Sequence, residues 1–231
     1  MAGERHEVAD EFVRFQDNPE SPFYCADGIS AVETWDRSVE AMADVLIELP
    51  QLTTEGFWLT PELLSDWHRR IFGELFPEDA GRLRWRREGE WEEVFFGGDV
   101  GTARSRRTKE YKGTNPRKLP DRVSEICGEF NEAREALLKA EAGSVSLDDG
   151  AYIAARLYCK ILRVHPWVDG NLRVAFVALH ASLLSLDLPR VKFRDLQEHD
   201  DLIGIAFRGN NEPYRPLATY IAEYIRDELQ D

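Results

Sequence analysis

Apolar residues recur at helical spacing over most of this chain. Between residues 29 and 49, Val32, Trp35, Val39, Met42, Ala43, Leu46 and Leu49 fall every three or four positions, and Pro50 is expected to end that helix. A second helix is predicted from Thr60-Pro61-Glu62-Leu63, where Thr60 can cap and Pro61 suits the first helical position. It runs through Leu64, Trp67, His68 and Ile71 to Gly73. Residues 81–116 break the period: Leu83, Trp85, Trp91, Val94, Phe95 and Phe96 among glycines and charges predict short strands or a long hairpin, closed by Asn115-Pro116. A helix follows from about 121 to 142, with Val123, Ile126, Cys127, Phe130, Ala133, Leu137 and Leu138 on its face. The next, capped by Asp148 or Asp149, carries Tyr152, Ile153, Leu157, Tyr158, Ile161 and Leu162. It breaks at His165-Pro166, because proline disfavours helical geometry in the residue before it. Another begins near Asn171 and is apolar almost all round, which places it in the middle of the protein. Segments 197–207 and 217–229 read as further helices, and residues 1–28 as a mostly irregular arm with one short helix. The expected fold class is mainly α with one small β excursion.

Composition and charge narrow the function. No apolar run approaches the ~18 residues that span a bilayer, and the amino terminus lacks an apolar signal core, so the expectation is a cytoplasmic protein with no membrane partner. Three widely spaced cysteines, Cys25, Cys127 and Cys159, suit reduced thiols and give no zinc spacing. A net charge of −14 makes direct nucleic-acid binding unexpected. That charge is polarised: seven cations against Glu110 give segment 104–118 a net +6, which leaves −20 for the remainder. Arg82, Arg84, Arg86 and Arg87 add a basic run just upstream.

Between the two apolar helices lies His165-Pro166-Trp167-Val168-Asp169-Gly170-Asn171-Leu172-Arg173. Gly170 and Asn171 readily adopt positive φ, so the turn can aim backbone amides at one spot, and the helix that starts there adds its positive end. Arg173, in the first turn, can grip the same anion. Asp169 offers a hard oxygen ligand suited to magnesium, and His165 can serve as a base at the rim. Together these residues suggest a cradle for a magnesium nucleotide with a proton acceptor beside it.

This segment resembles the signature of the Fic/Doc (Fido) family, His-Pro-Phe-x-Asp/Glu-Gly-Asn-Gly-Arg-x-x-Arg. His165, Pro166, Asp169, Gly170, Asn171 and Arg173 match it, and Trp167 stands in the aromatic place. A Leu-Thr-x-Glu-Leu-like helix start at 59–63 and an Ala-Gly-Arg-x-Arg stretch at 80–84 extend the resemblance over roughly 56–231. It implies a Fido-type helical bundle with a small β-hairpin flap, a Fic domain over 56–231 and an N-terminal helical extension over 1–55. The resemblance also implies roles. His165 would deprotonate a Ser, Thr or Tyr hydroxyl on a target protein, Asp169 would bind Mg2+, and Gly170, Asn171, Leu172 and Arg173 would hold the phosphates of ATP or another nucleotide. The product would be a target carrying a nucleoside monophosphate, commonly AMP.

Two positions depart from the family pattern. Leu172 replaces the second glycine, and Phe176 replaces the second arginine, which usually meets the γ-phosphate. Doc-type members also depart there and transfer the γ-phosphate, although they carry lysine in the glycine position. Phosphoryl transfer, another nucleotide donor, and a silent module that binds nucleotide or protein therefore stay open beside AMP transfer. A toxin with an antitoxin-like regulator, a delivered effector and a housekeeping modifier are open as roles. The flap, expected within 86–117 with Lys109–Lys112 as the pairing strand, would dock an extended target segment. Thr219 and Glu223 on the last helix match a family inhibitory pattern only in part and read as structural, His180 reads as a core residue, and His199-Asp200 lacks the further ligands of an HD-type phosphohydrolase.

Overall fold

Ser30 opens the first helix, its hydroxyl accepting the Glu33 amide at 3.1 Å. In the computed structural model the described residues are 28–54, 56–84, 95–96, 111–140, 145–193, 196–208 and 212–230. They form α1 (Ala31–Leu52), α2 (Pro61–Phe72), β1 (Phe95–Phe96), β2 (Tyr111–Lys112), a 3-10 turn (Pro116–Lys118), α3 (Leu119–Ala140), α4 (Leu147–Val164), α5 (Asn171–Leu184), α6 (Leu196–Phe207) and α7 (Arg215–Glu228). The mainly helical expectation holds.

Boundaries differ from the sequence expectation where a local signal is overridden. Helix α1 runs two residues past Pro50, because proline in a last turn removes one ladder bond while its fixed φ stays helical. The stop comes at Thr53, whose amide and hydroxyl both donate to the Leu49 carbonyl, at 2.9 and 2.8 Å. Thr60 caps α2 as expected, accepting the Leu63 amide at 3.1 Å. Helix α3 starts before residue 121, because the Asn115 side chain caps the 3-10 turn and that turn feeds straight into it. The N-cap position of α4 is Ser146, not Asp148 or Asp149; both acids lie in the first turn, and Asp148 pairs with Arg226 of α7 at 2.7 Å.

Of the hairpin expected over 81–116, β1 and β2 pair antiparallel, with Phe95 opposite Lys112 and Phe96 opposite Tyr111. Residues 85–94 and 97–110, which hold most of the expected flap and of the basic cluster with Lys109, lie outside the described residues, as do the 1–27 arm and Cys25.

Twelve of the fourteen residues of α5 are buried, so this helix is the post around which the bundle is built. Helix α4 packs against α5, α7, α3 and α6, while α1 packs against α2 and α5. Val39, Met42, Leu46 and Leu49 of α1 join the same core as Leu64, Trp67, Leu157 and Val177. Glu129 of α3 receives both Arg156 and Lys160 of α4, an ion-pair group that fixes those two helices side by side. Among the described residues, no helix is long and apolar enough to cross a membrane.

Candidate functional site

The site forms where α4 ends and α5 begins. The last carbonyls of a helix have no partner within it. At the end of α4 the buried guanidinium of Arg84 supplies one: its Nε donates to the His165 carbonyl at 2.6 Å and its Nη2 to the Val164 carbonyl at 3.4 Å. The same Nη2 donates to the Thr114 carbonyl, and the Thr114 amide reaches Val164 at 3.3 Å. His165 is thereby held in the left-handed region at φ 53°, a conformation that non-glycine residues adopt rarely and at some cost. This turns the chain abruptly out of α4.

The turn that follows is pinned by side chains. Asn171 is buried, and both ends of its amide face Trp167: Oδ1 accepts the Trp167 amide at 3.0 Å and Nδ2 donates to its carbonyl at 2.9 Å. Gly170 lies at φ 75°, and a Cβ there would meet the Phe72 ring at 2.2 Å, so both conformation and packing require glycine. Asp169 Oδ1 accepts the Gly170 amide at 2.6 Å. The N-cap position of α5 is Gly170, which has no side chain with which to cap the helix.

A second buried histidine braces this turn from α2. His68 Nδ1 accepts the Gly81 amide at 2.9 Å, which leaves the ring hydrogen on Nε2 to donate to the Asp169 carbonyl at 3.0 Å. The ring stacks on Trp167 at 4.9 Å and leans on Phe72 at the same distance. Burial lowers its pKa to about 4, with Arg69 adding to the effect and the bond to Asp169 opposing it. His165 is lowered to about 4 as well, by burial first and then by the charge of Arg84, against a bond to the Leu162 backbone. Both imidazoles are neutral at neutral pH, so His165 is in the form that can accept a proton.

The structure gathers every residue singled out in 165–173 into this one turn. Arg173 is buried, its guanidinium carbon 4.1 Å from the centre of the Trp35 ring and 5.5 Å from that of Phe72. Leu172 is half-buried against the core. Phe176 is fully taken up by the interior, 4.3 Å from the His180 ring. Asp169 is the carboxylate here that could hold a magnesium ion. Among the described residues no group of three or more His, Cys, Asp or Glu could hold a metal. An ion at Asp169 would thus take its other ligands from water and phosphate, which is how magnesium is usually bound.

His68, Arg84 and Trp35 join this turn from elements outside the 165–173 segment. For Arg84 the Ala-Gly-Arg-x-Arg stretch at 80–84 was the available signal; for His68 and Trp35 the helical spacing shows only a helix face. The other two candidate histidines are packed into the core. His180 is buried with Nε2 on the Val191 carbonyl, and buried His199 meets the Tyr158 hydroxyl at 2.9 Å. Thr219 and Glu223 are exposed on α7.

This architecture recurs in solved structures. Residues 134–508 of Fic-1 from C. elegans align at a TM-score of 0.62 and 20% identity, over 98% of this chain and 68% of that one. BepC of Bartonella tribocorum, solved with bound AMPPNP, aligns at 0.58 and 15% identity, over 87% and 95%. IbpAFic2 covalently tethered to Cdc42 aligns at 0.56 and 13% identity, over 97% and 62%. At these identities the likeness is one of fold. No curated protein matches the chain. The Fic/DOC family profile matches residues 58–183, more than half of the chain and the whole of the turn just described, and the chain therefore belongs to the Fic/DOC family.

Proposed function

We propose that this protein moves a nucleoside monophosphate, AMP in the first instance, from a magnesium nucleotide to a Ser, Thr or Tyr hydroxyl of a target protein. The observation that carries this reading is His165 held at the end of α4, in the same turn as the amino end of α5, whose N-cap is Gly170. The imidazole takes the hydroxyl proton, the oxygen attacks the α-phosphorus, and the bond to the β-phosphate oxygen breaks to release pyrophosphate. Amides at the start of α5 meet the charge that builds on phosphate oxygens, and Arg173 adds a fixed cation beside them. Asp169 would hold Mg2+, which when bound polarises the phosphates. The AMPPNP bound to BepC and the Cdc42 tethered to IbpAFic2 support a nucleotide and a protein as the two substrates.

A silent binding module is the second reading, favoured by Phe176, which puts a buried ring where the family pattern has a cation. The test is incubation with Mg2+, cell lysate and nucleotides labelled at the α- or the γ-phosphate. Transfer of α-label that disappears in His165→Ala is the expected result. Transfer of γ-label alone would make the protein a phosphotransferase, and binding without transfer would make it a silent module.

A further inference from the structure

We propose that Trp35, on a helix that precedes the family-matching region, is a positioning residue for Arg173 and so a working part of the phosphate site. The inference rests on the reading that the start of α5 holds nucleotide phosphates. The family match begins at residue 58, yet α1 ends at Leu52 and packs directly on α5. From α1 the Trp35 ring covers one side of the Arg173 guanidinium at 4.1 Å, while Phe72 of α2 flanks it at 5.5 Å. Phe72 is also the ring that closes on Gly170, so the clamp and the turn share a wall.

A guanidinium over an indole face is among the stronger cation–π pairs, more so where water is excluded, and Arg173 is only 2% exposed. An arginine so held has given up its rotamer freedom before a ligand arrives, so anion binding costs it less order. In this chain that preorganisation matters more than usual. Between His165 and Phe176 the sequence carries no cation except Arg173, because the second family arginine is replaced by a core phenylalanine. Within 165–176 the site thus has one arginine, and its geometry is set by a helix from outside the matched region.

The experiment is calorimetric titration of the full chain with Mg2+ and each of ATP, GTP, CTP and UTP, alongside thermal melting of every variant. For the nucleotide that binds, Trp35→Leu, which keeps apolar bulk without a ring face, is expected to weaken binding about three- to thirty-fold. Trp35→Phe should recover most of the loss, and Val32→Ala, at an exposed position on the same helix, should change nothing. In an Arg173→Ala background, Trp35→Leu should cost nothing further, because its effect runs through the arginine. Unchanged binding in Trp35→Leu would overturn the inference alone. Tighter binding would overturn it too, since Trp35 would then restrain Arg173 instead of presenting it. Absence of binding by any of the four nucleotides to the unaltered chain would overturn this inference and the proposed function together.

Discussion

Arg84 and His165 meet through the backbone, Nε of the arginine donating to the histidine carbonyl across 2.6 Å. The arginine thus acts on the histidine through its backbone carbonyl, and its charge also lowers the imidazole pKa. It satisfies the end of α4, stabilises a left-handed residue and ties both to Thr114, just beyond β2. The segment that leaves the paired strands and the candidate base are therefore held by one guanidinium.

Arg84→Met should remove these donors and deprive the His165 and Thr114 carbonyls of the partner that Arg84 supplies. A loss of about 3 kcal/mol is expected in urea unfolding, from hydrogen bonds to a charged donor worth roughly 1.5–3 kcal/mol each. Arg84→Lys, with one ammonium for three carbonyls, should recover only part of it. A variant as stable as the parent would show that the carbonyls find other donors.

Acid should destabilise the protein earlier than its carboxylates alone would cause. His68 and His165 fall from about 6.5 unfolded to about 4 folded, so the unfolded chain binds more protons between those values. Their contribution is complete above pH 6.5 and is lost as pH falls towards 4, about 1.4 kcal/mol each by pH 5.5. Buried His180, lowered to about 3 by burial and then by Arg190, acts in the same direction. Urea midpoints between pH 7.5 and 5 measure the trend, and a midpoint that rises on acidification would contradict it.

The same low value for His165 predicts an activity profile. Transfer of α-label should stay level from pH 8 to about 5, because the imidazole remains unprotonated throughout. A half-loss near pH 6.5 would mean that His165 titrates as an exposed histidine.

Gly170→Ala should be costly on two counts, a strained φ of 75° and a methyl group 2.2 Å from the Phe72 ring. Asn171→Ala should cost about 2–3 kcal/mol by leaving the Trp167 amide and carbonyl without partners. Both should lose nucleotide binding in calorimetry while keeping helical circular dichroism. Asn171→Asp preserves the acceptor for the amide but sets a carboxylate against the carbonyl, so it should not rescue.

How far the molecule could be read from its residues depended on distance along the chain. Each helix announces itself by its own apolar period, and the turn lies within nine consecutive residues, 165–173, so a local pattern contains it. What braces the turn comes from far away: His68 reaches Asp169 across 101 positions and Arg84 reaches His165 across 81. A lone histidine on a helix face or an arginine in a basic run looks like a surface residue until the fold buries it. Pro50 misleads for the opposite reason, a strong local rule relaxed because it falls in a last turn.

Phe176 closes the path back to the common motif. Restoring arginine there would not repair the site, since the helix offers that position no water and surrounds it with His180 and Phe193. Burying an unpaired guanidinium costs several kcal/mol, enough to unfold a domain of ordinary stability. The packing at this position therefore excludes a second motif arginine. Introducing one would require the centre of the bundle to be rebuilt first.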